Sequence, residues 1–476
     1  MRQRLAEMLE DSCDDLLKWS ARQFGGVELG DTRRNARLVQ MGACACARPN
    51  GKVAAVFKEN RDLQAAYDFL ESELVEVEEI VGSMAAATAQ SCRSLSHVFV
   101  PVDGTSVTVV DNEDAHDFGR IGSDSQGARG LKVIDALAVD PDGTPVGLLG
   151  LTWWVRSEQQ SPPRGSARQK RPVEEKETRY WLQTVQHASR ALHEQGVRGW
   201  FQIDREGDGR DVLLELAGSE HWWTVRGNAD RSIELEGGDK EMLRAELSRQ
   251  SIAGTYDLDV VARAGKRRAR KARMAVRVAQ VVLRLRDRKT SAITRLSVTA
   301  VWAREEGTTP AGEDPLDWLL YTNRPVASLD DARQVILGYA MRWRVEEFHR
   351  TWKRGDADVE STQLRSASAV QIWATILATV AVRIERLKRL ARTHGELPAS
   401  VDFSPYEIKA LKLLKFGAHP PQPEPTVAEA VAWLAEMGGF AGKYSGKPPG
   451  ATVLGRGLRY LRPAAQLLEI QEMSGK

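Results

Sequence analysis

Apolar residues change their period several times along this chain, and each change marks a different kind of element. Over residues 1–97 they recur at helical spacing, as in Leu5, Met8 and Leu9 and then Leu16 and Leu17, which predicts a set of amphipathic helices. The segment 29–39 reads as a helix start. Asp31 or Thr32 is the N-cap, and Arg33, Arg34 and Arg37 share a face able to grip DNA phosphate or simply to meet solvent.

From residue 98 the pattern becomes that of strands. Runs at 98–103, 131–139 and 146–155, the last two joined by the turn Asp140-Pro141-Asp142-Gly143, predict a three-stranded meander. Residues 157–172, rich in Ser, Gln, Pro and Arg, read as a loop. Then come a helix from Glu174 to about His193, a strand at 198–204, a helix at 211–216 and a strand at 221–226. Meander, helix, strand, helix, strand is the order of a ribonuclease-H-like domain. Pro101 has no N–H for a ladder, so its place in the central first strand calls for a bulge.

Residues 228–330 interrupt this order with strand patterns at 274–278, 281–288, 296–302 and 318–321, an inserted β subdomain. Helix returns at Asp331 and runs to about Lys353. With Tyr339 at zero and ~100° per residue, Arg342, Glu346 and Lys353 fall at about −60°, −20° and −40°. Leu337, Met341, Val345, Phe348 and Trp352 fall on the opposite side, as a docking stripe. An acid, two bases and a phenol thus share one column. Residues 366–393 form a further apolar helix, Pro398 and the Pro-rich run 420–425 read as a linker, and helices at 427–437 and 464–473 complete the tail.

Composition adds local detail. The 476 residues exceed one ordinary domain, and 42% apolar with 28% charged residues is ordinary for a globular protein. A net charge of +2 hides a basic strip: residues 263–289 hold twelve Lys or Arg against one acid, Asp287. Such a strip fits a nucleic-acid partner or a flexible basic hairpin loop. Cys13, Cys44, Cys46 and Cys92 have no neighbouring His to complete a zinc site and read as buried thiols. With no signal peptide and no apolar run of about 18 residues, the expectation is a reduced, cytoplasmic protein with no membrane partner.

Three acids stand out: Asp103 and Asp204, each ending an apolar strand run, and Glu346 on the long helix. Carboxylates fixed at a sheet's mouth bind hard divalent cations through oxygen.

Tyr339, Arg342, Glu346 and Lys353, spaced x2, x3 and x6, match the Y-R-E-K signature, and the chain resembles the DDE transposases of the insertion-sequence-four family. Further matches run through 29–39, 65–70, 103–106, 146–149, 153–156, 204–208, 317–320 and 342–349. The resemblance implies an α/β fold: a ribonuclease-H-like catalytic core, interrupted by a β-strand insertion and flanked by helical N- and C-terminal domains. It divides the chain into a DNA-end-binding domain at 1–72, core at 73–227, basic β insertion at 228–330, core with the Glu helix at 331–395 and a dimerisation domain at 396–476.

It further implies that Asp103, Asp204 and Glu346 bind two Mg²⁺ ions, about 3.5–4 Å apart, with Mn²⁺ as a substitute. The implied reaction is cut-and-paste transposition: water nicks the transposon end, the freed 3′-hydroxyl forms a hairpin, water reopens it, and the 3′-ends attack target DNA. Tyr339, Arg342 and Lys353 would hold phosphates, Trp318 would stack an extruded base, and Arg226 matches a DNA-contact position. Lys266, Arg267 and Arg268 in the basic strip would follow donor or target DNA, and Arg33, Arg34 and Arg37 would serve end recognition. Partners are double-stranded DNA and a second copy in a synaptic dimer, associated with the bacterial nucleoid when DNA is bound. The alternatives are a catalytically silent, transposase-derived DNA-binding protein, which would be free to lose its acids, and a nuclease that cuts without joining. Two positions depart from the family: Ile134-Asp135 stands where His-Ser is common, and Asp68 stands where Arg occurs.

Overall fold

The computed structural model describes residues 15–111, 116–122, 127–157, 171–235, 237–263, 265, 267–442 and 448–474. The expected helix around Leu5–Leu9, Cys13, most of the 157–172 loop and Lys266 lie outside them. Five helices open the described chain: α1 (Asp15–Phe24), α2 (Thr32–Ala47), α3 (Val53–Val56), α4 (Asn60–Leu70) and α5 (Val77–Ser91). Asp31 caps α2 by accepting from the Arg33 N–H at 2.8 Å, satisfying a donor that the first turn leaves free.

Next come β1 (Val98–Val109), β2 (Gly119–Arg120), β3 (Arg129–Val139), β4 (Pro145–Trp154), α6 (Thr178–Glu194), β5 (Gly199–Ile203), α7 (Arg210–Gly218) and β6 (Trp222–Arg226). β1 pairs antiparallel with β3 and β3 with β4, while β1, β5 and β6 run parallel. This is the ribonuclease-H-like arrangement. Alternation buries both faces. Val98, Val100 and Val102 join one apolar cluster with α6 and α7, and Phe99 and Trp200 join the other beneath the later helices. Asp103 shares parity with Phe99, and Asp204 with Trp200, so both acids belong to the face those helices cover.

The structure corrects several expectations here. Asp103 does not end its strand, because β1 continues to Val109. It is instead the first β1 residue beyond the parallel ladder, whose last pair is Val102–Ile203. No bulge accommodates Pro101. The β1–β3 ladder passes from Phe99–Val139 to Val102–Ala136 without a change of register, and the shifts occur between β3 and β4.

The insertion comprises β7 (Ser232–Glu234), β8 (Lys240–Met242), α8 (Leu243–Arg249), β9 (Gly254–Val260), β10 (Arg270–Arg286), β11 (Ile293–Glu306) and β12 (Asp317–Thr322). The two expected strands at 274–278 and 281–288 are one, β10, paired along its length with β11. The insertion continues the core sheet: β12 pairs with β6, so the described strands form one twelve-stranded sheet.

The helix expected from Asp331 to Lys353 is two: α9 (Leu329–Ala340), started by a capping box between Ser328 and Asp331, and α10 (Trp343–Lys353). Over Met341–Val345 the N–H groups of Arg342, Arg344 and Val345 reach back three residues rather than four, a tight turn between the helices. The turn shifts the helical phase. α9 buries Ala332, Val335, Ile336 and Tyr339, whereas α10 buries Val345, Phe348, His349 and Trp352. Leu337, expected on the docking stripe, is therefore 59% exposed, and Tyr339, expected on the polar face, is 4% exposed.

α11 (Ala367–Thr393) is long and apolar enough to cross a membrane by length and composition, which the sequence reading did not anticipate. Of its most apolar stretch, 89% is buried inside the protein as a core helix. α12 (Pro405–Phe416), absent from the sequence reading, α13 (Val427–Met437) and α14 (Ala451–Ser474) follow. The expected linker is packed. Pro398 bridges Thr426, and Ala399 donates to the Pro425 carbonyl at 2.9 Å.

Candidate active site

β1 and α10 bring Asp103 and Glu346 to one guanidinium. Arg342, in the turn before α10, donates to Asp103 Oδ2 at 2.9 Å and to Glu346 Oε1 at 3.4 Å. Asp204, just past β5, caps a short 3₁₀ turn by accepting from the Glu206 N–H at 2.7 Å. It lies close enough for its charge to act on Asp103 and Arg342. β3 adds Asp135, the register partner of Asp103, fully buried and bound at 2.5 Å to His349 Nε2 from α10.

Asp103 is 7% exposed, and loss of water pushes its carboxyl up to about 7. His349 and Arg342 oppose that rise, while the Asp204 and Asp135 charges add to it. Burial likewise raises the Asp135 carboxyl, with His349 opposing. Asp135 Oδ1 is buried with no hydrogen-bond partner among the described residues. Burial drives both rises, and at each carboxyl the neighbouring cations act more strongly than the neighbouring acids. Carboxylates held out of water at a desolvation cost fit a hard divalent ion. Carboxylate oxygens of Asp103 and Glu346 and a ring nitrogen of His349 lie within 4.8 Å of one another, a spacing one ion can span.

The bases divide. Lys353, at the end of α10, donates to Thr105 Oγ1 at 3.2 Å and lies 3.6 Å from Glu360. Tyr339 is buried and packs edge-on against Trp318 of β12, with ring centroids 5.4 Å apart, while its hydroxyl accepts from Arg226 and stays within the reach of the Arg342 and Asp204 charges. The Arg226 guanidinium lies 5.9 Å from the Trp318 ring centre and donates to the Asp317 carbonyl at 3.1 Å. Burial lowers the Arg226 pKa, and contact with Tyr339 opposes that. Trp318 is partly buried in this cluster.

Two neighbours escaped the sequence reading. His349 was missed because it sits among apolar residues on the docking face of α10; its spacing, one turn beyond Glu346, was the available signal. Trp343 is 54% exposed and presents an aromatic surface 5.9 Å from the Arg342 guanidinium.

The remaining basic residues are elsewhere. Arg33 is exposed and paired with Asp31, Arg34 donates to the Leu29 carbonyl, and Arg37 donates to Gln40 at 2.9 Å. Arg267 and Arg268 sit at the turn between β9 and β10. Much of the basic strip is neutralised across the sheet: Arg270 pairs with Glu305 and Glu313, and Arg284 with Glu234.

Two family models match the ends of the chain. Transposase DNA-binding matches residues 17–75, which span α1 to α4, and the Transposase Tn5 dimerisation domain matches residues 379–466, from mid-α11 into α14. Joined through a ribonuclease-H-like core, these matches place the chain among the Tn5-like transposases, a placement that fits the insertion-sequence-four family.

Proposed function

We propose that this transposase cuts and joins DNA at a two-metal site held by Asp103, Asp204 and Glu346. The observation that carries the reading is the meeting of Asp103 and Glu346, from strand and helix, at one guanidinium in a field that Asp204 also shapes. When bound, Mg²⁺ or Mn²⁺ supplies Lewis-acid charge to the attacking and leaving oxygens.

The protein's own groups do the rest. Arg342 and Lys353 turn toward the phosphates flanking the scissile bond, Arg342 exchanging a carboxylate for a phosphate oxygen. Tyr339 and Arg226 brace the ring of Trp318, which stacks an extruded base and offsets part of the few kcal/mol that unstacking costs. The N-terminal helices bind the transposon ends and the C-terminal helices pair two copies. The cutting sequence is a nick by water, a hairpin made by the freed 3′-hydroxyl, reopening, and attack of the 3′-ends on target DNA. Arg33, Arg34 and Arg37 contact end DNA, and Lys266, Arg267 and Arg268 contact flanking or target DNA. The work takes place in the bacterial cytoplasm, on the nucleoid.

The test is cleavage of linear DNA carrying the element's ends, run with Mg²⁺ and with Ca²⁺ and resolved on a denaturing gel. Wild type should give nicks that convert to hairpins in Mg²⁺, and Glu346→Ala should bind the ends without cutting. Equal cutting by Glu346→Ala would sink the assignment. Binding without cutting by wild type in both Mg²⁺ and Mn²⁺ would favour the silent DNA-binding protein.

A further inference from the structure

His349 occupies a place that packing alone does not explain. It is buried on the docking face of α10 between Val345 and Trp352, where an apolar residue would cost nothing to desolvate. Its Nε2 meets Asp135 Oδ2 at 2.5 Å, and Asp135 is itself buried on β3 beside Asp103. In the neutral ring that a bound ion requires, the N–H given to Asp135 fixes the tautomer and orientation and leaves the lone pair on the other nitrogen, Nδ1. Carboxylates hold metal-binding histidines in this way. The ring also lies where a ligand belongs, with a nitrogen inside the 4.8 Å group formed with Asp103 and Glu346.

We propose that His349, oriented by Asp135, is a nitrogen ligand of the ion at the acid site, so that one ion is bound by two carboxylates and an imidazole. The inference rests on the metal-site reading above and adds a donor to it. An imidazole shifts a site's preference toward first-row transition ions, because Mg²⁺ favours an all-oxygen shell. The site then takes Mn²⁺ and Co²⁺ more tightly than Mg²⁺. Asp135 is a positioning residue: it touches neither ion nor DNA and acts through the ring.

The test uses the full chain loaded with Mn²⁺. Affinity is measured from the loss of the free-ion EPR signal, with Mg²⁺ as competitor, and the ligands are read by pulsed EPR. Wild type should show ¹⁴N coupling from a bound imidazole. His349→Gln should lose that coupling and weaken Mn²⁺ about 10–100-fold, with Mg²⁺ affinity nearly unchanged. Asp135→Asn should keep the coupling and weaken Mn²⁺ by about tenfold. Circular dichroism and thermal melting confirm that each variant is folded, and two conservative variants guard against the loss of either one.

Mn²⁺ bound in a Glu346-dependent way without ¹⁴N coupling, or equal losses for Mn²⁺ and Mg²⁺ in His349→Gln, would overturn the inference and leave the acid site standing. Mn²⁺ binding indifferent to Glu346→Ala would instead remove the acid-site reading itself.

Discussion

Asp103 is ionised at a cost that its surroundings do not repay. Its carboxyl titrates near 7 in the folded chain, against 3.8 for an unburied aspartate. A carboxyl raised in the folded state binds its proton more tightly there than in the unfolded chain, so stability falls as pH rises from about 4 through 7. The asparagine variant never carries that charge. Asp103→Asn should therefore raise the urea midpoint at pH 8, by the equivalent of up to a few kcal/mol, and the gain should shrink toward pH 5. An unchanged difference between the two pH values would contradict the account. Mg²⁺ at pH 8 should stabilise wild type and not the variant. At this scale the sequence was informative where chemistry follows residue type: Asp103, Glu346 and Arg342 were legible, and the structure brings them into contact. The burial of Tyr339 was not, because it depends on a backbone turn that an ideal wheel omits.

That turn is the main lesson at the level of elements. A continuous wheel over 331–353 joined two helices whose buried faces are out of phase, and so put Leu337 inside and Tyr339 outside. Glu346, Arg342 and Lys353 kept their shared face because none of them precedes the turn. Gly338 sets how closely α9 approaches the sheet: a Cβ there would lie 2.8 Å from a Phe99 ring carbon and near Gln202 and Trp200. Gly338→Ala should push α9 off β1 and β5, cost about 1–3 kcal/mol in chemical unfolding, and shift Tyr339 against Trp318. Tryptophan fluorescence would register that shift. The strands were legible for a simpler reason, since β1, β3 and β5 are buried on both faces and read as short, near-continuous apolar runs. β10 was split in two because Ala279 and Gln280 separate its two apolar runs, and pairing with β11 restored the continuity.

Across the whole molecule, α11 joins regions that the sequence separates. Its apolar residues share one cluster with the N-terminal helices and with α12 to α14. Arg383 on α11 pairs with Glu407 of α12 at 2.9 Å and touches Cys46 of α2 at 3.2 Å, all of them buried. Removing one partner leaves a buried charge alone, so Glu407→Gln should destabilise the chain by about 3–5 kcal/mol. Hydrogen exchange should then show α2 and α12 losing protection together; loss confined to α12 would show that the DNA-binding and dimerisation ends fold independently. Such long-range packing leaves no local trace, which is why the Pro-rich segment read as a linker. The central claim is that Asp103, Asp204 and Glu346 together hold the ions of a single two-metal site. Fe²⁺ tests it most directly when it replaces Mg²⁺ and, with ascorbate and peroxide, cuts the chain where it is bound. The account predicts backbone cuts near residues 103, 204 and 346, suppressed by excess Mg²⁺ and lost in Glu346→Ala. Cuts elsewhere, or cuts that survive that substitution, would contradict it.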